Sequence, residues 1–236
     1  MKLIPVLFKK EDVISDFKSD KQYSNWIYNK LKSHKIVKIR NDLYALIDVS
    51  VDDVYVDKFE MASKISQTGC VSYQSALEYY GLIKCEKKEI IVSSCTKFNS
   101  FKFEDVKYIY HASISNDFID TINRVRVTSV ERTIIDCINN ISLAGGIENL
   151  IEAIGNLKAL DEHKLIEILD IYDKKIMYQK SGYIFEMFRD KIMISDYFFD
   201  YCKQKVSNKI TYFLDDDYDD LIYNKKWNLY CPKELF

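Results

Sequence analysis

Residues 19–48 read SDKQYSNWIYNKLKSHKIVKIRNDLYALID, and the reading of this stretch decides the fold of the amino-terminal part. Ser19 or Asp20 suits the N-cap of a helix that runs to about Ser33. At 100° per residue Ser24, Ile27, Tyr28 and Leu31 fall in one stripe, which is expected to pack, while Gln22, Trp26, Asn29 and Ser33 point away from it. From Lys35 the chain turns to β-branched, aromatic and aliphatic residues broken by Asn41-Asp42, a pair suited to positive φ, so a hairpin is expected over 35–47. Upstream, FKKEDVISDF (8–17) puts Phe8, Val13, Ile14 and Phe17 near helical spacing. Two helices followed by a basic hairpin predict a winged helix-turn-helix in residues 1–50.

Charge gives that module its expected chemistry. The 236-residue chain has a formal net charge of −2, but residues 1–41 hold ten Lys or Arg against four acids, a local charge of +6 that leaves −8 for the rest. A helix entering the major groove needs polar side chains that reach base edges, and a flanking hairpin needs cations for phosphates. Lys21, Gln22, Asn25 and Asn29 fit the first requirement, with Asn and Gln suited to bidentate contact with adenine. Lys32, Lys38 and Arg40 fit the second. The competing reading is a winged helix used for protein contact, with a solvated lysine face.

The remainder predicts a mixed α/β domain over residues 58–236, making the whole chain α+β. The acidic, valine-rich DVSVDDVYVD (48–57) marks the join. Helices are expected at 59–66 and 72–82, the second opened by Ser72 and closed by Gly81. Strands follow at 89–94, 98–103 and 106–111, the last two joined at Glu104-Asp105, and another at 124–127. Thr128 and Glu131 have capping-box spacing before VERTIIDCINNI, whose stripe is Val130, Ile134, Cys137, Ile138 and Ile141. Gly145-Gly146 separates that helix from IENLIEAI, and helical patterning continues through 160–172 and 178–190. Trp227, Leu229 and Tyr230 predict an ordered final strand.

Other chemistries are weaker on the residues. Cysteines 70, 85, 95, 137, 202 and 231 show no C-x-x-C and no short histidine spacing, so zinc and a disulfide framework are not expected. Asp215–Asp220 fails as an EF-hand, having Asp220 where the loop requires Gly and Lys226 where it requires Glu. Asp215 and Asp217 form an Asp-x-Asp pair, the basis of an alternative reading as a metal-dependent enzyme on nucleic acid or nucleotides; without a glycine-rich phosphate loop, a solvated loop is preferred. Glu162-x-Lys164 has nuclease spacing but begins a helix. His34, His111 and His163 give no thiol dyad with any cysteine. Tyr79-Tyr80, Tyr108-Tyr110 and Tyr178-Tyr183 read as core before they read as stacking platforms. No apolar run approaches the ~18 residues of a membrane helix, and MKLIPVLFKK is too short for a signal peptide. A cytoplasmic protein with no membrane partner, no cofactor and no bound metal is expected.

The runs KIVKIRNDLYALID (35–48), VSYQSALEYYGL (71–82), VTSVERTIIDCI (127–138), LAGGIENLIEAI (143–154), YQKSGYIFE (178–186) and YNKKWNLYCP (223–232), in that order, resemble the AbiEi-type antitoxins of bacterial type IV toxin–antitoxin, or abortive-infection, systems. The likeness extends over nearly the whole chain. It implies a winged helix that binds inverted repeats in double-stranded promoter DNA and represses its own operon. It also implies a carboxy-terminal domain that counters a nucleotidyltransferase-like toxin without a stable direct complex. The toxin would be the catalyst and this chain no enzyme, a monomer in solution or a dimer on DNA. The implied DNA-binding positions map onto the helix 20–33 and the wing 35–47. Where the family's wing usually has a basic residue and Gly at its tip, Asn41-Asp42 stand here.

Overall fold

A computed structural model describes residues 4–47, 56–84, 87–214 and 220–233 as a mixed α+β fold with several sheets. Internal contacts divide the chain into two compact units: Met1–Val71 with Lys88–Ser113 and Thr121–Arg126, and Ser72–Lys87 with Ile114–Asp120 and Val127–Phe236. Most of the join expected at 48–57 lies outside the described residues, and the contacts group the first fifty residues with strands from later in the chain. Among the described residues no helix is long and apolar enough to cross a membrane.

The first unit opens with β1 (Leu7–Phe8), α1 (Lys10–Val13), a 3-10 turn (Ile14–Asp16), α2 (Asp20–Lys32), β2 (Ile36–Arg40) and β3 (Leu43–Leu46). The helix expected over 8–17 is therefore one α-turn and one 3-10 turn. Phe8 is withdrawn into β1, where it pairs with Tyr44, and Val13-Ile14-Ser15-Asp16 contains no strong helix former to carry the turn onward. The three strands form an antiparallel sheet in the order β1-β3-β2. Its core is Phe8, Val13, Tyr23, Ile27 and Ile36, with Phe17, Trp26, Leu31 and Tyr44 packed around them. Ser19, not Asp20, caps α2, its Oγ accepting the Gln22 N–H at 3.3 Å. Replacing such a cap by Ala costs about 1 kcal/mol.

The same unit continues with α3 (Lys58–Lys64), capped by Asp57, which accepts the Phe59 and Glu60 N–H groups at 2.9 Å. Then come β4 (Cys70–Val71), β5 (Glu89–Ser94), β6 (Phe101–Phe103), β7 (Val106–Ala112), β8 (Ile119–Ile122) and β9 (Val125–Thr128), the last two only in part, Ile119–Asp120 and Val127–Thr128 being grouped with the second unit. They form a sheet in the order β6-β7-β5-β4-β9-β8, with β5 parallel to β7 and the β6–β7 hairpin turning at Glu104, whose φ is +49°.

The second unit is mainly helical: α4 (Tyr73–Tyr79), α5 (Val130–Asn139), a 3-10 turn (Ile141–Ala144), α6 (Ile147–Asn156), α7 (Glu162–Tyr172), α8 (Lys175–Met187), α9 (Arg189–Ile192) and α10 (Asp196–Lys205). A small sheet closes it: β10 (Thr211–Tyr212), β11 (Leu221–Asn224) and the expected final strand, β12 (Leu229–Pro232). Every residue from Arg132 to Ile138 of α5 is buried, so the helix is enclosed on all sides and not striped as expected. Its N-cap is Ser129, whose Oγ accepts the Arg132 N–H at 3.2 Å; Thr128 instead ends β9 and bonds the Thr133 hydroxyl at 2.7 Å. Two adjacent cap-type residues make either one plausible from sequence, and the end of the strand selects the second. At Gly182 a Cβ would lie 2.2 Å from the Trp227 ring, so only glycine lets α8 approach the enclosed indole. Gln179 Nε2 donates to the Trp227 carbonyl at 3.0 Å and Trp227 Nε1 donates to Glu186 at 2.8 Å, which ties the turn between β11 and β12 to α8.

Candidate nucleic-acid interface

The packing of α2 selects which of its side chains meet solvent. Tyr23 and Ile27 are buried, Trp26 and Leu31 half-buried. Phe17 lies 5.6 Å from Tyr23 and 5.3 Å from Trp26, and Phe8 lies 6.0 Å from Trp26, so these rings draw the inner face of the helix toward Trp26. This rotates the packed face away from the stripe expected from sequence: Trp26 turns in, and Ser24 and Tyr28 turn out. The opposite face carries Lys21, Asn25, Asn29 and Lys32, all exposed, within roughly 80° of the circumference at about 100° per residue. Tyr28, 64% exposed, stands among them, although helical spacing alone groups it with the packing residues. The signal for its exposure lies in Phe8 and Phe17, whose rings need an aromatic partner on the next helix.

Gln22 sits at the edge of that face. It is exposed, but its Oε1 accepts the Lys18 N–H at 2.8 Å, which stiffens the entry to α2. Among the described residues Lys21, Lys32 and Lys38 make no ion pair. The acids Asp20 and Asp12 pair instead with Lys10 at 2.9 Å and Lys64 at 3.6 Å. The outer lysines are therefore free to neutralise an anion.

The hairpin separates its two cations. On a regular strand Lys38 and Arg40, two apart, would share a face. A register shift between them breaks the alternation: Lys38 pairs with Tyr44, and Arg40 pairs with Leu43. Lys38 stays exposed, while the half-buried Arg40 guanidinium packs 5.3 Å from the Phe98 ring and 5.2 Å from the Phe101 ring. Arg40 Nη1 is buried and has no hydrogen-bond partner among the described residues, and burial pulls the group's pKa below its usual value. The structure thus brings Lys21, Asn25, Asn29 and Lys32 onto one face, leaves Gln22 at its rim, and anchors Arg40 to aromatic rings of its own unit.

At the hairpin tip, Asp42 adopts φ +57° and its Oδ1 accepts the Lys10 N–H at 3.2 Å, at the start of α1. The carboxylate that replaces the expected basic tip is thereby turned toward a helix N-terminus. Burial, with Tyr44 and Asp42 nearby, pushes the Tyr23 hydroxyl up to about 12, so it stays protonated.

The alternative chemistries gain little. Asp215, Asp216, Asp217, Tyr218 and Asp219 lie outside the described residues, and among the described ones no group of three or more His, Cys, Asp or Glu is placed to hold a metal. Glu162 accepts the Ser195 N–H and hydroxyl at 3.1 and 2.8 Å in the second unit. Tyr108 and Tyr178 are buried, as core residues. Cys70, Cys137, Cys202 and Cys231 are buried and Cys95 is exposed; Cys85 lies outside the described residues.

No family model and no curated relative matches the chain. Among solved structures it is similar to the RV2827C protein from Mycobacterium tuberculosis, with a TM-score of 0.63 and 10% identity, over 96% of this chain and 86% of that one. At that identity the likeness is one of fold alone.

Proposed function

We propose that this protein is a DNA-binding autorepressor and antitoxin of the type IV kind, acting in the cytoplasm. Residues 4–47 act as a winged helix-turn-helix, with α2 as the recognition helix and the β2–β3 hairpin as the wing. The observation that carries the reading is the outer face of α2: two lysines without ion pairs among the described residues, two asparagines and an exposed tyrosine, opposite a face fixed by aromatic packing. Asn25 and Asn29 suit base edges, and Lys21, Lys32 and Lys38 suit phosphates. Arg40 serves the wing by holding it against Phe98 and Phe101. The protein binds its operator as a pair of subunits, so half-sites are spaced by the symmetry of that pair. The antitoxin half of the reading rests on the ordered resemblance to AbiEi-type chains, and the second unit would oppose a nucleotidyltransferase-like toxin without stable complex formation.

Anisotropy titration of the full chain against the DNA upstream of its own gene tests the first half. Saturable binding is expected, with log K falling steeply as log salt rises. Absence of binding at low salt would leave the module as a protein-docking winged helix. Co-expression with a nucleotidyltransferase encoded beside it tests the second half, restored growth being the expected result.

A further inference from the structure

Between the 3-10 turn and the first two turns of α2 lies a cavity of about 200 Å³, lined by Ile4, Val13, Asp16, Phe17, Gln22 and Trp26. Its walls are held in place. Phe17 is extended and packed against Tyr23 and Trp26, Lys18 is tied to Gln22, and Ser19 caps the helix, so the segment cannot collapse inward without giving up these contacts. An apolar cavity of about 150 Å³ in a protein interior is large enough to take up benzene. The space here therefore suits one six-membered ring with a short tail.

The polar groups restrict the chemistry further. Among the described residues, four of the six that line it are apolar or aromatic, and the single charge is the Asp16 carboxylate, which makes no ion pair or hydrogen bond with another of them. Gln22 spends its oxygen on the Lys18 amide, leaving its amide N–H groups. Trp26 already accepts one ammonium, with Lys30 Nζ 5.8 Å from its ring centre, so its indole is in a setting where a cation is held against the ring. A few convergent polar groups over an apolar floor is the usual make-up of a small-molecule site.

We infer that this cavity is a binding site for a small organic cation: a single apolar ring bearing a protonated amine on a short tail, the ring against Phe17 and Trp26 and the ammonium on Asp16. The assignment stands whether or not α2 reads DNA, and its test uses none.

The full chain is titrated with phenethylamine by calorimetry, while NMR follows the indole N–H signals of Trp26 and Trp227. Saturable sub-millimolar binding that moves the Trp26 signal and leaves that of Trp227 in place is expected. 2-Phenylethanol, of the same shape without the charge, is expected to bind up to about fivefold more weakly, since it can hydrogen-bond to Asp16 but not form the ion pair with that exposed carboxylate. Asp16→Asn, at an exposed position, is expected to erase the difference between the two compounds, and Ile4→Phe to abolish binding of both by filling the space. Equal affinity of amine and alcohol in the wild type, or tighter binding of 3-phenylpropionate, would overturn the cation assignment. No binding at the solubility limit of the amine, or binding unchanged in both variants, would overturn the site.

Discussion

Two helices of this chain handle charge in opposite ways. α2 keeps Lys21 and Lys32 exposed and, among the described residues, without ion pairs, while Asp20 and Asp12 pair with Lys10 and Lys64. α5 buries Arg132 and Asp136 to 2% exposure each. There, Arg132 Nε lies 3.5 Å from an Asp136 oxygen, its Nη1 donates to the Ser115 and Asp117 carbonyls, and the Tyr172 hydroxyl donates to the other Asp136 oxygen at 2.7 Å. Both helices carry cations and acids in sequence, Asp20, Lys21, Lys30 and Lys32 in one and Glu131, Arg132 and Asp136 in the other. What separates them is whether the charge is taken up by the fold: α5 uses its ions to hold the 115–118 segment in the second unit, and α2 leaves Lys21 and Lys32 exposed to solvent.

The largest effect that sharpens this contrast is expected from Arg132→Ala. It strands a buried carboxylate and frees two carbonyls, and breaking such a pair costs about 3–5 kcal/mol. Urea unfolding should show a loss of unfolding free energy of that size. An exposed-type loss below about 1 kcal/mol would mean that α5 is not enclosed as described.

Asp136 supplies a pH signature. Burial, outweighing the opposing pull of Arg132 and Tyr172, raises its pKa to about 6. The folded state then holds a proton that the unfolded state, near the ordinary value of about 3.9, has released. Its contribution is full below the unfolded pKa and is lost as pH rises from about 4 to about 6, with no further change above. Stability measured by denaturant titration across that window should therefore carry a descending component that Asp136→Asn removes. A component that rises with pH in its place would contradict the assignment.

On the α2 side, Lys21→Ala with Lys32→Ala is expected to weaken operator and random DNA alike and to reduce the slope of log K against log salt by about 1.8, near 0.9 for each phosphate no longer neutralised. Melting should be unchanged. Asn25→Ala should instead cost about 1–3 kcal/mol on the preferred sequence alone, seen as a relaxed base preference at one position of the site. If the lysine pair leaves the slope intact, the outer face of α2 is not the DNA face.

The smallest effect concerns the tip of the β2–β3 hairpin. Asp42→Gly removes the positive-φ strain and the carboxylate, but also the bond to the Lys10 amide. These terms nearly cancel, leaving stability within about 1 kcal/mol. DNA affinity at low salt should rise slightly, and a fall would indicate that Asp42 positions the tip for binding.

Where the chain announces its structure, the signal is local. The Ser19 cap, the Asn41-Asp42 turn and the Gly145-Gly146 break act through their own backbone, so α2, the hairpin and the end of the α5 segment are readable residue by residue. The orientation of α2 is not, because Trp26 turns inward only when Phe8 and Phe17 are brought to it from β1 and the turn before the helix. The strand β8 is silent in the sequence because Asp120, Thr121 and Ile122 are exposed and offer no alternation. The fate of Arg40 is equally hidden: a bulge and two rings some sixty residues downstream decide it. For the candidate site, residue types are legible, and their division between outward contact and internal support is not.

The enclosed indole of Trp227 and the half-exposed one of Trp26 are the chain's only two tryptophans, and each belongs to a different unit. Intrinsic fluorescence is thereby divided between a dry, blue-emitting, quencher-resistant reporter and a wetter one open to iodide, so the melting of each unit can be followed separately without any introduced label.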